Sequence, residues 1–377
     1  MRREEPPRIL VILFGLVGDT LMRVPLVRAL RRRHPDAFIV AVCDPPLVDA
    51  LAANPLFDEV RGFDRHGTTY AQQVRSYLKL RRLRLDLSVD MYFGARTPVL
   101  AWFAGDRRRL GLGNYWYGKL LLTDVVDPQL PLAHMVDRHL PLLEPLGITE
   151  LERVWEFPVT PATATAAAAR LKLAGLPLPG AGDVIVAVGA GDETKRWDET
   201  LLDEIVARLG ETASRVFLVA DAQQPDLTER RGARAGALSL PPLSLPPLSL
   251  PHLAALFARA GLVITPDSGL MHVALATAPR LLTFFQSTHP EWHSARRPAY
   301  RYLYRENCPV QPCDTRLKHT CGHECRRSLS AGDVLAAAAE LRAGPAWDGT
   351  WPANRVSLAD VRRDAAAAEP AASPPVT

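Results

Sequence analysis

Residues 8–14, "RILVILF", run directly into 15–25, "GLVGDTLMRVP", and this junction decides the fold. The first stretch is a continuous apolar run of strand length. Gly15 and Gly18 permit a sharp backbone turn. Beyond them, "DTLMRVPLVRALRRRHP" (19–35) carries apolar residues at helical spacing and stops at Pro35. A strand, a glycine turn and a helix open a βαβ unit. Asp19 stands at the start of that helix. Its position leaves three roles open: a first-turn acid favoured by the helix dipole, a ribose ligand, or a proton acceptor. The turn is not G-x-G-x-x-G, and Asp44 is the only acid at the end of the second strand, so no plain dinucleotide fingerprint is present.

Working outward, "AFIVAVC" (37–43), "DEVRGF" (58–63) and "DLSVDMYF" (86–93) read as strands. "PPLVDALAANP" (45–55) reads as a short helix and "LAHMVDRHLPLLEPLGI" (132–148) as a helix broken by prolines. After a Pro-, Ala- and Thr-rich segment at 158–182 the alternation starts afresh. Strands are expected at "DVIVAVGAG" (183–191), "SRVFLVAD" (214–221), "LVITPD" (262–267) and "RLLTFFQS" (280–287). Helices are expected at 197–210, 251–261, 268–278 and 331–344. This pattern predicts an α/β protein with parallel sheets. The 377 residues fit two domains and a tail. The expected boundaries are 1–157, a linker at 158–182, a second domain at 183–345, and a partly disordered tail at 346–377. A triplet, "LSLPP LSLPP LSLPH" (238–252), reads as an extended loop, because repeated Pro excludes a central strand.

Apolar content of 47% and charged content of 23% are those of a soluble globular chain. No apolar stretch reaches the ~20 residues that span a bilayer. The N-terminus imitates a signal peptide, but Glu4 and Glu5 spoil its basic region and no small-x-small site precedes Asp19. A cytoplasmic location is therefore expected. Residues 1–150 hold 21 Lys and Arg against 17 Asp and Glu, whereas the remainder is balanced. The surplus gathers in "RALRRRH" (28–34), "KLRRLR" (79–84) and "DRRRL" (106–110). It is either a solvated face or a surface that meets an anionic acceptor or membrane. Nucleic acid is not the expected partner, since no aromatic interleaving or nucleic-acid-binding spacing occurs.

Two further junctions carry chemistry. In "TPDSGLMHVALA" (265–276) a strand ends at Asp267, and Ser268 and Gly269 open a helix. The N–H groups of such a helix start suit a phosphate or pyrophosphate. His272, about one turn in, supplies a proton donor or an ion-pair partner. "GAGDETKRW" (189–197) repeats the plan, and Lys195 and Arg196 suit a diphosphate.

These segments, with "FFQSTHPEW" (284–292), resemble in order and spacing the heptosyltransferases of glycosyltransferase family 9, over about residues 8–342. The resemblance implies a GT-B architecture, with two Rossmann-like domains facing a cleft. It implies an inverting, metal-independent transfer of a sugar, foremost heptose from ADP-heptose, to a lipopolysaccharide core or related glycan. Asp19 then matches the proposed general base, flanked by Gly18 and Thr20 on the acceptor side. Thr194, Lys195, Arg196, Asp267, Ser268, Gly269, Leu270 and His272 match the donor-binding segments. No cofactor beyond the nucleotide sugar is implied, and a lipid-linked acceptor would bring the chain to the inner membrane. Departures from the family exist. Leu13-Phe14 replaces a frequent basic residue, and "VGAGDE" replaces a hydroxyl-rich turn, placing Asp192 and Glu193 where they would repel a diphosphate unless turned away. The ribose reader has no clear match, with Asp221 the candidate. Another nucleotide-sugar donor, a non-lipopolysaccharide acceptor and a catalytically idle module remain as alternatives. Finally, Cys308, Cys313, Cys321 and Cys325, with His319 and His323 between, have the make-up of a structural zinc loop or of plain reduced thiols.

Overall fold

The structure, a computed structural model, describes residues 6–92, 94–113, 116, 118–126, 134–219, 238–239, 248–308, 311–313 and 323–367. The chain divides into two compact units, Met1–Val154 with Ala353–Thr377, and Trp155–Pro352.

In the first unit, strands β1 (Arg8–Ile12), β2 (Phe38–Cys43), β3 (Glu59–Gly62), β4 (Leu87–Asp90), β5 (Arg108–Leu112) and β6 (Asp124–Val126) pair in parallel in the order β3-β2-β1-β4-β5-β6. Helices α1 (Val17–Arg33), α2 (Val48–Ala52), α3 (Tyr70–Leu80), α4 (Thr97–Ala104) and α5 (Gly118–Leu121) connect them. Because side chains alternate along a strand, β1 buries a residue set on each face. Leu10 and Ile12 pack with Tyr77 and Leu80 of α3 and Leu100, Ala101 and Ala104 of α4. Each such aliphatic side chain taken from water contributes about 1.5–3 kcal/mol. The proline-broken helix expected at 132–148 is a 3₁₀ run over Asp137–Leu146. Prolines 141 and 145 deny it the amides an α-helix needs. A short strand β7 (Glu150–Glu152) follows.

The second unit opens with α6 (Pro161–Leu173), inside the segment expected to be a linker. Thr160 and Thr163 cap it reciprocally. Strands β8 (Val184–Ala187), β9 (Val216–Val219), β10 (Leu238–Ser239), β11 (Leu262–Pro266), β12 (Leu281–Phe285) and β13 (Tyr300–Tyr304) form a second parallel sheet, in the order β10-β9-β8-β11-β12-β13. The helices between and after them are α7 (Glu199–Thr212), α8 (Leu250–Phe257), α9 (Gly269–Thr277), α10 (Pro290–His293) and α11 (Ala331–Ala343). The proline triplet is not one loop. Its first copy begins as edge strand β10 and its last opens α8, with Ser249 as N-cap. Residues 240–247 lie outside the described residues. The expected tail likewise holds structure: β14 (Arg355–Ser357) pairs antiparallel with β7, and α12 (Leu358–Ala367) follows in the first unit.

Candidate active site

In open parallel sheets, ligands bind beyond the carboxyl ends of the strands. The first unit has a pocket of about 710 Å³ there, built by the segments after β1, β2, β3 and β4. Its lining includes Gly15, Asp19, Asp44, Arg65 and Tyr92. Gly15 has φ +125°, and an added Cβ would lie 3.4 Å from Asp19 and Arg23. Glycine therefore lets the chain turn and leaves room for the Asp19 carboxylate. Asp19 is half-buried in the first turn of α1. Behind it lies Arg23, 4% exposed, which donates to the Phe14 carbonyl and to His139 Nε2. Burial lowers the Arg23 guanidinium below its ordinary value, while the charges of Asp19 and Asp90 pull it up. His139, with its Nδ1 against the Met135 carbonyl at 2.8 Å, is pushed down to about 3, first by burial and then by Arg23.

Asp44 is not left for a ribose. One oxygen accepts the Gly15 amide at 2.9 Å, and both oxygens are gripped by Arg65 at 2.7 and 2.9 Å. The Arg65 guanidinium also lies 4.4 Å from the Phe14 ring centroid and 4.7 Å from that of Tyr92. A basic group thus reaches the end of β1 from a distant loop, where the sequence itself offers Leu13-Phe14. Gly18 and Thr20 are buried in α1, and Thr20 Oγ1 donates to the Leu13 carbonyl at 3.1 Å, which ties the helix to the strand end.

In the second unit the strand ends gather a buried acid and a cation. Asp267, 3% exposed, follows β11. Its Oδ2 is 2.6 Å from Lys195 Nζ and 3.3 Å from His293 Nδ1, and it accepts from Thr288 Oγ1. Burial works to raise this carboxyl, but Lys195 and His293 outweigh it and hold Asp267 far below the usual carboxylate range. Lys195 retains about a fifth of its side-chain exposure. Helix α9 starts beside this pair with Ser268 as N-cap, no side-chain cap and no acid in its first turn. Leu270 is buried in that turn. His272 is pushed down to about 3, by burial first and then by His293 and Lys195. Burial and these cations favour the neutral ring, which suits a hydrogen-bond donor.

The acids of the glycine turn are accounted for. Asp192 caps the 3₁₀ turn Glu193–Lys195, accepting from the Thr194 amide at 3.1 Å and its hydroxyl at 2.9 Å. Glu193 is exposed. Thr194 Oγ1 also accepts from the Ser287 hydroxyl at 2.8 Å, and Arg196 Nε donates to the Ala190 carbonyl at 2.9 Å, so both brace the loop that carries Lys195.

The glycosyltransferase family 9 (heptosyltransferase) model matches residues 75–324. The chain belongs to this family. It is a glycosyltransferase of the heptosyltransferase type. A lipopolysaccharide heptosyltransferase 3 of Escherichia coli is 23% identical over 284 residues, 73% of this chain and 82% of that protein. The E. coli ADP-heptose lps heptosyltransferase II superposes with TM-score 0.72 at 21% identity, covering 89% of this chain and 98% of that one. E. coli heptosyltransferase WaaC, solved with ADP-2-deoxy-2-fluoro heptose, gives 0.63 at 17% identity, over 88% and 99%. The fold is accordingly of the GT-B type, with a parallel sheet in each of two domains. Near the second site, the Cys313 amide donates to the Ser287 carbonyl at 2.6 Å. Among the described residues no group of three or more His, Cys, Asp or Glu converges to hold a metal. Cys321, His319 and the ribose candidate Asp221 lie outside the described residues.

Proposed function

We propose that this glycosyltransferase moves heptose from ADP-heptose to a hydroxyl of a lipopolysaccharide inner core or a closely related glycan, inverting the anomeric centre. The reading rests on one observation above the rest: Lys195 is fixed on buried Asp267 beside the uncapped start of α9. A cation, a helix start without a side-chain cap and the neutral donor His272 suit a diphosphate leaving group. Ser268, Gly269 and Leu270 supply that helix start, while Thr194 and Arg196 hold the Lys195 loop. Relatives named for lipopolysaccharide heptosyl transfer and a neighbour solved with an ADP-heptose analogue support the same donor.

In the first unit, Asp19 is the general base. It takes the proton of the acceptor hydroxyl as that oxygen bonds to the anomeric carbon. The bond from that carbon to the diphosphate breaks, and ADP leaves with the electron pair. Positive charge for the leaving group comes from Lys195 and α9, so the transfer is proposed to run without a metal. A lipid-linked acceptor places the protein at the inner face of the inner membrane. The outer helical layer of the first unit supports such contact: Leu78, Trp102, Trp116 and Leu120 are exposed amid Lys79, Arg82 and Lys119. The test is a transfer assay with ADP-heptose, a delipidated inner-core acceptor and EDTA. Release of ADP together with a heptosylated product is expected. Turnover with another nucleotide sugar but not with ADP-heptose would replace the donor.

A further inference from the structure

We infer that Trp155 is a positioning residue for the donor site, its indole N–H fixing His272 as the tautomer that carries its proton on Nε2. The inference rests on the donor reading above and adds a residue 117 positions away from the one it controls. Trp155 is 2% exposed, and its Nε1 lies 3.2 Å from His272 Nδ1. An indole N–H can only donate, so Nδ1 must present its lone pair. On a neutral ring the proton then sits on Nε2. Burial keeps the ring neutral, as described above. A neutral, buried histidine without this partner is free to place its proton on either nitrogen. The wrong choice would turn a donor toward the diphosphate into an acceptor.

Trp155 is itself held in place. Its ring stacks on Trp351 at 5.6 Å between centroids, and Trp351 meets Trp347 edge-on at 5.4 Å. Trp347 lies under the Arg297 guanidinium at 4.1 Å, and Arg297 donates to the Leu275 and Ala278 carbonyls at the far end of α9. The cluster therefore grips α9 near its first turn through His272 and at its last turn through Arg297. Trp155 and Trp351 stand at the two chain ends of the second unit, a reason for an aromatic stack there. Stacking alone does not call for a hydrogen bond into the site.

The experiment uses the full chain labelled with ¹⁵N-histidine, the His272 ring signals being identified by their loss in His272→Ala. Wild type is expected to show the Nε2-protonated tautomer. Trp155→Phe keeps a ring for Trp351 but removes the N–H. In it the His272 signals should shift toward a mixture of tautomers, and ADP affinity should fall about tenfold, the size of one hydrogen bond. In the His272→Ala background, Trp155→Phe should cost nothing further. Trp351→Phe, which leaves the N–H in place, should leave the tautomer unchanged. The inference is overturned by an Nδ1-protonated ring in wild type, by unchanged ring signals in Trp155→Phe, or by an undiminished loss in the His272→Ala background. Failure of wild type to bind ADP would overturn the donor reading instead, and the ring signals would still report on Trp155.

Discussion

The two units repeat one sheet order and equip their strand ends differently. In the first, an acid occupies the first turn of the helix after the central strand, where the dipole favours it. Asp19 is half-buried and reaches a pocket, while Asp44 is consumed by Arg65. In the second, the site helix α9 follows β11, the counterpart of β4 rather than of β1, and has no acid in its first turn. Its nearby carboxylate, Asp267, is buried and bound to Lys195. One edge keeps a carboxylate for chemistry; the other keeps a cation and a helix start for an anion. Identical topology therefore does not put the site on corresponding strands: the first unit builds it after β1, and the second after β11, the counterpart of β4.

The comparison breaks most sharply at Asp19. Asp19→Ala should lower kcat by about 10²–10⁴, the range for loss of a general base, with ADP affinity unchanged. A variant with normal turnover removes the base from the mechanism. The next largest effect belongs to Asp267→Ala, which strands Lys195 beside a hole. Removing one partner of a buried pair costs about 3–5 kcal/mol, read as a drop in the melting temperature together with loss of ADP binding. Arg65→Ala tests the first pocket alone. It should raise the acceptor KM roughly tenfold through loss of the wall formed with Phe14 and Tyr92, and leave ADP affinity intact. Equal damage to both ligands would mean that the pockets are not separate in function.

The smallest effect concerns Asp106, 2% exposed between α4 and β5 and far in sequence from either pair of site residues. Burial pushes its carboxyl up to about 7, against the pull of Ser88 and Arg109. Its folded pKa is raised above the unfolded value of about 3.9, so its contribution is fully present below that value and is lost as pH rises through about 7. Asp106→Asn should match wild type near pH 4. It should be more stable than wild type at pH 8, read as a higher melting temperature. A pH-independent difference would contradict this.

Much of this was legible in the chain. "RILVILF" had to be a buried strand, and "GLVGD" had to turn into a helix. "TPDSGLMH" placed a carboxylate, a helix start and a histidine within one turn of each other. The alternation of strands and helices gave both sheets. What stayed hidden was assembled across distance or masked by composition. Arg65 joins Phe14 and Tyr92 only because three strands end at one edge. Trp155 meets His272 only in the folded second unit. Strand β5 was concealed because Arg108 and Arg109 read as part of a charge run, whereas Arg108 pairs with Asp124 of β6 at 2.7 Å. Helix α6 was concealed by its Ala- and Thr-rich sequence, although Thr160 and Thr163 carried its cap. The tail resembled a disordered end because a three-residue strand such as β14 has too little pattern to detect without its partner β7.

The most direct measurement of the central claim is a thermal-shift titration of ADP, UDP, GDP, dTDP and CMP without divalent metal, on wild type, Lys195→Ala and Asp19→Ala. A ligand that binds only the native state raises the melting temperature with occupancy. The account predicts a shift with ADP that Lys195→Ala loses and Asp19→Ala keeps. An ADP shift retained by Lys195→Ala, or lost in Asp19→Ala, would contradict the division of labour between the two units.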